Sequence, residues 1–223
     1  MRAVDRATLR DVAALAIAAT VIGVSFGAIA VAADLPGVLV MAMSVLVFAG
    51  GAQFLAVGLL AAGSPVGALL GGLLLNARHL PFGLAVADAV GHRWPARLAG
   101  SHLLIDESVA FALAQPDPGR RRATYWLVGV TLFVAWNAGT IAGIMLGGAV
   151  ADPAVFGLDA AFPAGLLALL WPSLRDSTAR NVALTGVAVA LLTTPLLPAG
   201  VPVLLALTGL VAVWFGRRRE VPA

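Results

Sequence analysis

The chain has no cysteine, no lysine, one tyrosine and little charge of either sign. The absence of cysteine removes disulfides, thiolate metal sites and cysteine nucleophiles together. Charged side chains make up 11% of the 223 residues, against about 25% in soluble domains. What is present instead is apolar: 61% of the residues are hydrophobic and the mean hydropathy is +0.98. Residues 12–33, 123–151 and 181–216 carry no charged side chain, and about 20 apolar residues suffice for a helix to cross the hydrocarbon core. The runs are continuous rather than alternating, which favours helices over a barrel. The expected fold class is all-α, a polytopic integral membrane helix bundle. Residues 1–223 are read as a single transmembrane domain of about six to eight spans.

The arginines are placed rather than scattered. Arg2, Arg6 and Arg10 precede the first apolar run, Arg120-Arg121-Arg122 separates two runs, and Arg217-Arg218-Arg219 follows the last. That is positive-inside anchoring, with the ends 1–11 and 217–223 both cytoplasmic. No aromatic platform accompanies these arginines, so an RNA patch is disfavoured. Residues 12–33 are longer than a signal-peptide core and are read as a retained span.

Apolar segments run over about 12–33, 38–62, 66–90, 97–115, 123–150, 158–172, 181–197 and 201–216. The separators carry turn chemistry, as in Asp34-Leu35-Pro36-Gly37 and Gly63-Ser64-Pro65. If every segment crosses, both ends lie inside, while Arg93 and Arg97 are stranded outside; a re-entrant segment lowers the count. Pro81 and Pro163 fall within apolar segments, and proline there predicts interrupted helices. Such breaks are tolerated in lipid only against protein or a water-filled cavity, and they present half-helix ends to solutes. A faint echo relates residues 48–56 to 156–164, of the kind left by internal repeats.

The remaining signal is polar side chains at apolar depth. Gly50-Gly51-Ala52-Gln53 combines close backbone approach with a two-way amide. Asn76, Arg78 and His79 gather beside Pro81; Arg78 could hold a carboxylate through parallel bonds and His79 could exchange a proton. His102 and Asp106 are four apart, which on one helix is a shared face, with Glu107 a further step round. Trp136-Asn137 and Asp159 add single polar groups. An ionised group at mid-span costs about 2.5–3.5 kcal/mol or more, so these charges are expected to be paired or used.

At these positions the chain resembles the AzlC-type branched-chain amino acid permeases, large subunits of two-component exporters of the bacterial inner membrane. The likeness rests on Phe48-Ala49-Gly50-Gly51-Ala52-Gln53-Phe54, on Asn76-Ala77-Arg78-His79-Leu80-Pro81-Phe82-Gly83, on Asp106-Glu107, and on Leu158-Asp159-Ala160-Ala161-Phe162-Pro163-Ala164. It implies a non-enzymatic, multi-pass secondary transporter exporting leucine, isoleucine and valine, with methionine or analogues as further candidates, driven by the proton motive force. It also implies a small AzlD-type membrane partner, and it calls for no cofactor and no resident metal. The physical reading assigns substrate binding or coupling to Gln53, Asn76, Arg78, His79, Asp106, Glu107, Asn137 and Asp159. Gly50, Gly51, Pro81 and Pro163 supply helix breaks and backbone. In that reading Arg78 and the half-helix after Pro81 cradle the carboxylate, and Asp106 or Glu107 meets the ammonium or couples protons. The alternative is a metal or cation transporter using His79, His102, Asp106 and Glu107. A hydrolase is disfavoured because neither a Gly-x-Ser-x-Gly elbow nor a zincin motif occurs.

Overall fold

The structure, a computed structural model, describes residues 4–149, 167, 171, 173–198 and 201–211. Every regular element among them is helical. In chain order these are α1 (Arg6–Ala32), α2 (Gly37–Leu46), α3 (Gly50–Ala61), α4 (Pro65–Asn76), α5 (His79–Ala85), α6 (Ala87–Val90), α7 (Trp94–His102), α8 (Asp106–Leu113) and α9 (Pro118–Ala149). After a 3-10 turn at Ser173–Arg175 follow α10 (Ser177–Thr193) and α11 (Val201–Leu205). The chain divides into two compact units, Met1–Phe54 with Leu74–Phe162 and Leu55–Leu73 with Pro163–Ala223.

Helix ends follow local chemistry. The Asp5 carboxylate accepts the Thr8 N–H at 2.8 Å to start α1, Asp117 accepts that of Arg120 for α9, and Asp176 that of Ala179 for α10. Each satisfies one of the donors a helix start leaves unpaired. The Thr8 N–H, and then Arg120, hold the Asp5 carboxyl below the usual carboxylate range. Helix α1 ends with Asp34 in the left-handed region at φ 61°, and Leu35 N–H donates to Ala30 O at 3.1 Å. Gly63, at φ 74°, ends α3 in the same way, with Ser64 N–H on Leu59 O at 2.8 Å. Both are six-to-one C-cap bonds, at the two turns the sequence marks.

Two helices, α1 and α9, are long and apolar enough to cross a membrane, and they form the scaffold of the first unit. They meet along glycine. A Cβ added at Gly23 would lie 2.6 Å from Trp136 O, and one at Gly27 2.8 Å from Ile144 N. Cβ atoms at Gly139 and Gly143 would overlap the carbonyls of Thr20 and Val24, and one at Gly147 would lie 2.9 Å from Ala28 O. The partners advance together along both chains, so the helices are parallel. Arg120 closes their shared N-terminal end on Asp5 at 3.0 Å. Large aliphatic side chains such as Ile17, Val21, Val134, Ile141 and Met145 point outward. Small residues inside and large ones outside is the arrangement lipid selects, since association there relies on close packing and not on water exclusion.

Against α9 pack two interrupted helical segments. In the first, α2 runs antiparallel to α9, with Gly37 beside Ile144, Ser44 bonded to Asn137 and Phe48 edge-on to Phe133 at 5.1 Å. The helix breaks over Val47-Phe48-Ala49, and Gln53 in the first turn of α3 donates back across the break to Met43 O at 2.8 Å. In the second, Gly91 lies against Arg122 and Leu103 against Gly129, so α7 climbs α9 from its N-terminal end. Helix α8 descends again, and Arg121 reaches both Asp88 before α7 (3.2 Å) and Gln115 O after α8. Val86, Val90, Leu104, Val109, Ala112 and Tyr125 make a compact core beneath this hairpin, and the Tyr125 hydroxyl donates to Gly100 O at 2.7 Å.

These observations correct three expectations. Segments 38–62 and 97–115 are not single continuous helices; each is interrupted by a three-residue non-helical link, and in the second α8 turns back along α9. Pro81 does not itself break a helix. The interruption falls at Ala77-Arg78, and Pro81 sits in the first turn of α5, where a missing N–H costs nothing. His102 and Asp106 do not share a helix face, because α7 ends at His102 and α8 begins at Asp106. The break anticipated near Pro163, and the 156–164 half of the sequence echo, lie outside the described residues. In the second unit Gly71 packs on Leu55 at 3.1 Å and Gly186 on Ala206 O at 2.8 Å, measured from an added Cβ.

The α1–α9 seam yields a direct test. Gly143→Ala should cost about 1–3 kcal/mol by overpacking, read as a lower melting temperature in detergent. Gly148→Ala, where an added Cβ meets nothing within 4 Å, should stay within about 0.5 kcal/mol of the parent.

Candidate functional site

Three backbone interruptions converge in the first unit: Val47-Phe48-Ala49, Ala77-Arg78 and Leu103-Leu104-Ile105. Phe133 of α9 links two of them, touching Phe48 and also the His102 ring at 5.5 Å. Phe133 lies about 16 Å along α9 from Arg122 at the helical rise of 1.5 Å per residue. That is roughly half of a hydrocarbon core about 30 Å thick. Arg78 links the third interruption to the α7–α8 hairpin by binding Asp106.

That ion pair is the strongest polar contact of the site. Arg78 Nε donates to both Asp106 oxygens, at 3.0 and 3.2 Å, and Nη2 donates to Oδ2 at 2.8 Å. Nη1 donates to Leu75 O at 2.9 Å, using a carbonyl that the end of α4 leaves free. The guanidinium therefore has its forked face occupied by Asp106. Asp106 and Glu107 occupy the first turn of α8, where a carboxylate also meets the positive end of the helix dipole. Ser108 completes the turn. Its hydroxyl accepts the Ile105 N–H at 3.0 Å and lies within donating distance of the Leu103 and Ile105 carbonyls. The pair is not sealed: the Arg78 and Asp106 side chains are 33% and 41% exposed.

The other expected residues are distributed around this point. His79 follows Arg78 at the start of α5, with Nε2 buried and unpartnered and its ring 6.4 Å from Phe82. Asn76 closes α4 with its Oδ1 likewise buried and unpartnered. Gln53 is 1% exposed and bonded to Met43 O through Nε2, while its Oε1 has no partner. Asn137 is engaged with its neighbours, accepting from Ser44 at 2.9 Å and donating to Phe133 O at 2.8 Å. Gly50 lies under the Trp136 ring, where a Cβ would be 2.9 Å from Cη2, and Gly51 faces Leu75. Asp159 lies outside the described residues. His102 is exposed and turned to Phe133 rather than to an acid. Among the described residues no three His, Asp or Glu side chains could hold one metal ion, so His79, His102, Asp106 and Glu107 do not form the shared site the metal alternative needs.

Trp136, a polar group of the sequence given no site role, belongs to this region. It is 6% exposed, stacks on Phe26 at 5.7 Å, and has a buried, unpartnered Nε1. The interruption at Leu103-Leu104-Ile105 was missed. Its signal was the Asp106-Glu107-Ser108 triplet, since acidic residues and serine collect in the first turn of a helix. Read so, the triplet starts a helix at 106 rather than decorating one.

The ion pair also generates a prediction. Asp106→Ala should destabilise the protein more than the double variant Arg78→Ala with Asp106→Ala, because the single change strands a guanidinium. A coupling energy of about 1–3 kcal/mol from the four-variant cycle is expected, and Arg78→Lys should be intermediate because lysine lacks the fork.

No curated protein and no solved structure matches the chain. A family model described as AzlC protein matches residues 14–150, more than half of the chain and all three interruptions. With that match laid over a bundle of apolar helices in which Arg78 pairs with Asp106, the chain belongs to the AzlC family of membrane transport proteins.

Proposed function

We propose that the protein exports branched-chain amino acids, chiefly leucine, isoleucine and valine, across the bacterial inner membrane as a proton-coupled secondary transporter. The AzlC family is associated with branched-chain amino acid transport, and the direction and coupling are our reading. The single observation that carries it is the part-open Arg78–Asp106 pair at the meeting point of three backbone interruptions. A purely structural ion pair at this depth gains most from complete enclosure, whereas a pair that must separate as a solute passes is better left accessible. Glu107, next to Asp106 on α8, is the carboxylate free to accept a proton during the cycle, and His79 and Asn76 stand on the same path.

The Arg78 role changes in detail from the sequence reading. Its fork is occupied by Asp106, and α5 is short with Pro81 in its first turn, so this end of α5 is a poor carboxylate cradle. Arg78 with Asp106 serves better as a gate that proton binding at the Asp106-Glu107 pair loosens. Asn137 and Asp159 remain path residues in this reading. The parallel α1 and α9 begin beside arginine clusters, which by the positive-inside rule puts both starts in the cytoplasm. The exposed aliphatic helix faces accommodate lipid and a small AzlD-type subunit.

The test is an export assay in cells lacking their own branched-chain exporters, expressing the protein with the short hydrophobic subunit. Dipeptide-loaded cells should release leucine several-fold faster than controls, and a protonophore should abolish the difference. Asp106→Asn should lower release about tenfold or more, the effect of losing roughly 1.4 kcal/mol or more. Release of leucine at the control rate by the expressing strain would sink the proposal.

A further inference from the structure

The start of α3 holds buried donors and an acceptor that the ion-pair site does not use. The first i→i−4 bond of this helix is Gln53 N–H to Ala49 O at 3.0 Å, so the N–H groups of Gly50, Gly51 and Ala52 precede the ladder. The surroundings are dry: Phe48, Ala49, Ala52 and Phe54 are all buried. Two further buried atoms meet here without partners. Gln53 reaches back across the break to Met43, which lays its carboxamide along the link with Oε1 unpartnered. The Trp136 indole covers Gly50, its Cη2, Cζ3 and Cζ2 the nearest atoms to a Cβ built there, and its Nε1 is unpartnered. Gln53 and Trp136 are 1% and 6% exposed. An unmade hydrogen bond on a buried polar atom costs about 1–3 kcal/mol, and two such atoms, one in the first turn of α3 and one on the α9 residue whose ring covers Gly50, point to something that binds them.

We infer that this turn seats the charged head of the transported amino acid, with the carboxylate on the Gly50-Gly51-Ala52 N–H groups and Trp136 Nε1–H and the ammonium on Gln53 Oε1. The chemistry matches group by group. Backbone N–H groups at a helix start, and an indole that can only donate, suit an anion. A carboxamide oxygen whose amide nitrogen is already committed suits a cation's N–H. Glycine at 50 and 51 lets the head approach the backbone, as in other sites where an anion meets a helix start. Phe26 stacked on Trp136 and Phe54 edge-on to it at 6.3 Å provide an apolar wall for a branched aliphatic side chain. The same arrangement explains a zwitterionic preference: either charge alone would satisfy one half of the turn and leave the other orphaned.

This inference rests on the amino-acid reading above, and the experiment separates the two. Binding of L-leucine, L-leucinol (ammonium only) and 4-methylpentanoate (carboxylate only) is measured on the purified protein in nanodiscs. Trp136→Phe keeps the ring stack and removes the N–H. It should weaken leucine and 4-methylpentanoate about tenfold, the loss of one charge-assisted hydrogen bond, and leave leucinol unchanged. Gln53→Leu should weaken leucine and leucinol and leave 4-methylpentanoate unchanged. A general packing defect would lower all three ligands alike in both variants, and that result overturns the site while export by the parent protein stands. A parent protein that binds none of the three overturns site and amino-acid reading together.

Discussion

A backbone amide at bilayer depth has no water to turn to, and this constraint organises the first unit. Each of the three interruptions frees N–H and C=O groups that lipid cannot satisfy. They are collected against α9 rather than scattered on the outside. Phe48 and His102 both pack on Phe133, Ser108 takes up the Ile105 N–H, and Arg78 takes up Leu75 O. Putting the breaks together also puts together the side chains next to them. The polar centre follows from where irregular backbone can be hidden, and the charged residues are held by the same links.

The scaffold that makes this possible is a seam of small residues. Gly23 and Gly27 on α1 meet Gly139, Gly143 and Gly147 on α9 with backbone nearly against backbone. At that distance each helix presents carbonyls to the other's α-carbons, a contact worth perhaps 0.5–1 kcal/mol each. Pulling α1 so close leaves the opposite side of α9 to both interrupted segments, and Trp136 and Phe133 stand between the seam and the breaks. The seam and the site share residues: Trp136 O faces Gly23, while its ring covers Gly50. A change in helix packing is therefore also a change in the site.

The two interrupted segments approach α9 from opposite ends and bring two helix starts, at Gly50 and Asp106, toward mid-depth. They use those starts differently. At Asp106 the helix start carries its own carboxylates, one of which binds Arg78. At Gly50 it carries bare glycine, a buried carboxamide and an indole. One is electrostatically self-satisfied and the other is not. The proposed division of labour rests on that asymmetry, with a charge pair at one helix start and unpaired polar groups at the other.

Composition and charge placement alone determined that this is a helical membrane protein, where several helices end, and which polar residues are unusual. Those conclusions need only the transfer cost of each side chain and the local chemistry of Asp5, Asp34, Gly63 and Asp117. The resemblance at Asn76, Arg78, Asp106 and Glu107 singled out four residues of which Arg78 and Asp106 pair in the structure. Sequence could not show that 38–62 and 97–115 are interrupted, because a broken and an unbroken helix carry the same apolar residues. The choice between them depends on a partner surface distant in the chain. Likewise Trp136 had no assigned role and His102 looked like a neighbour of Asp106 until the tertiary structure fixed which atoms were buried, and which of those had found a partner.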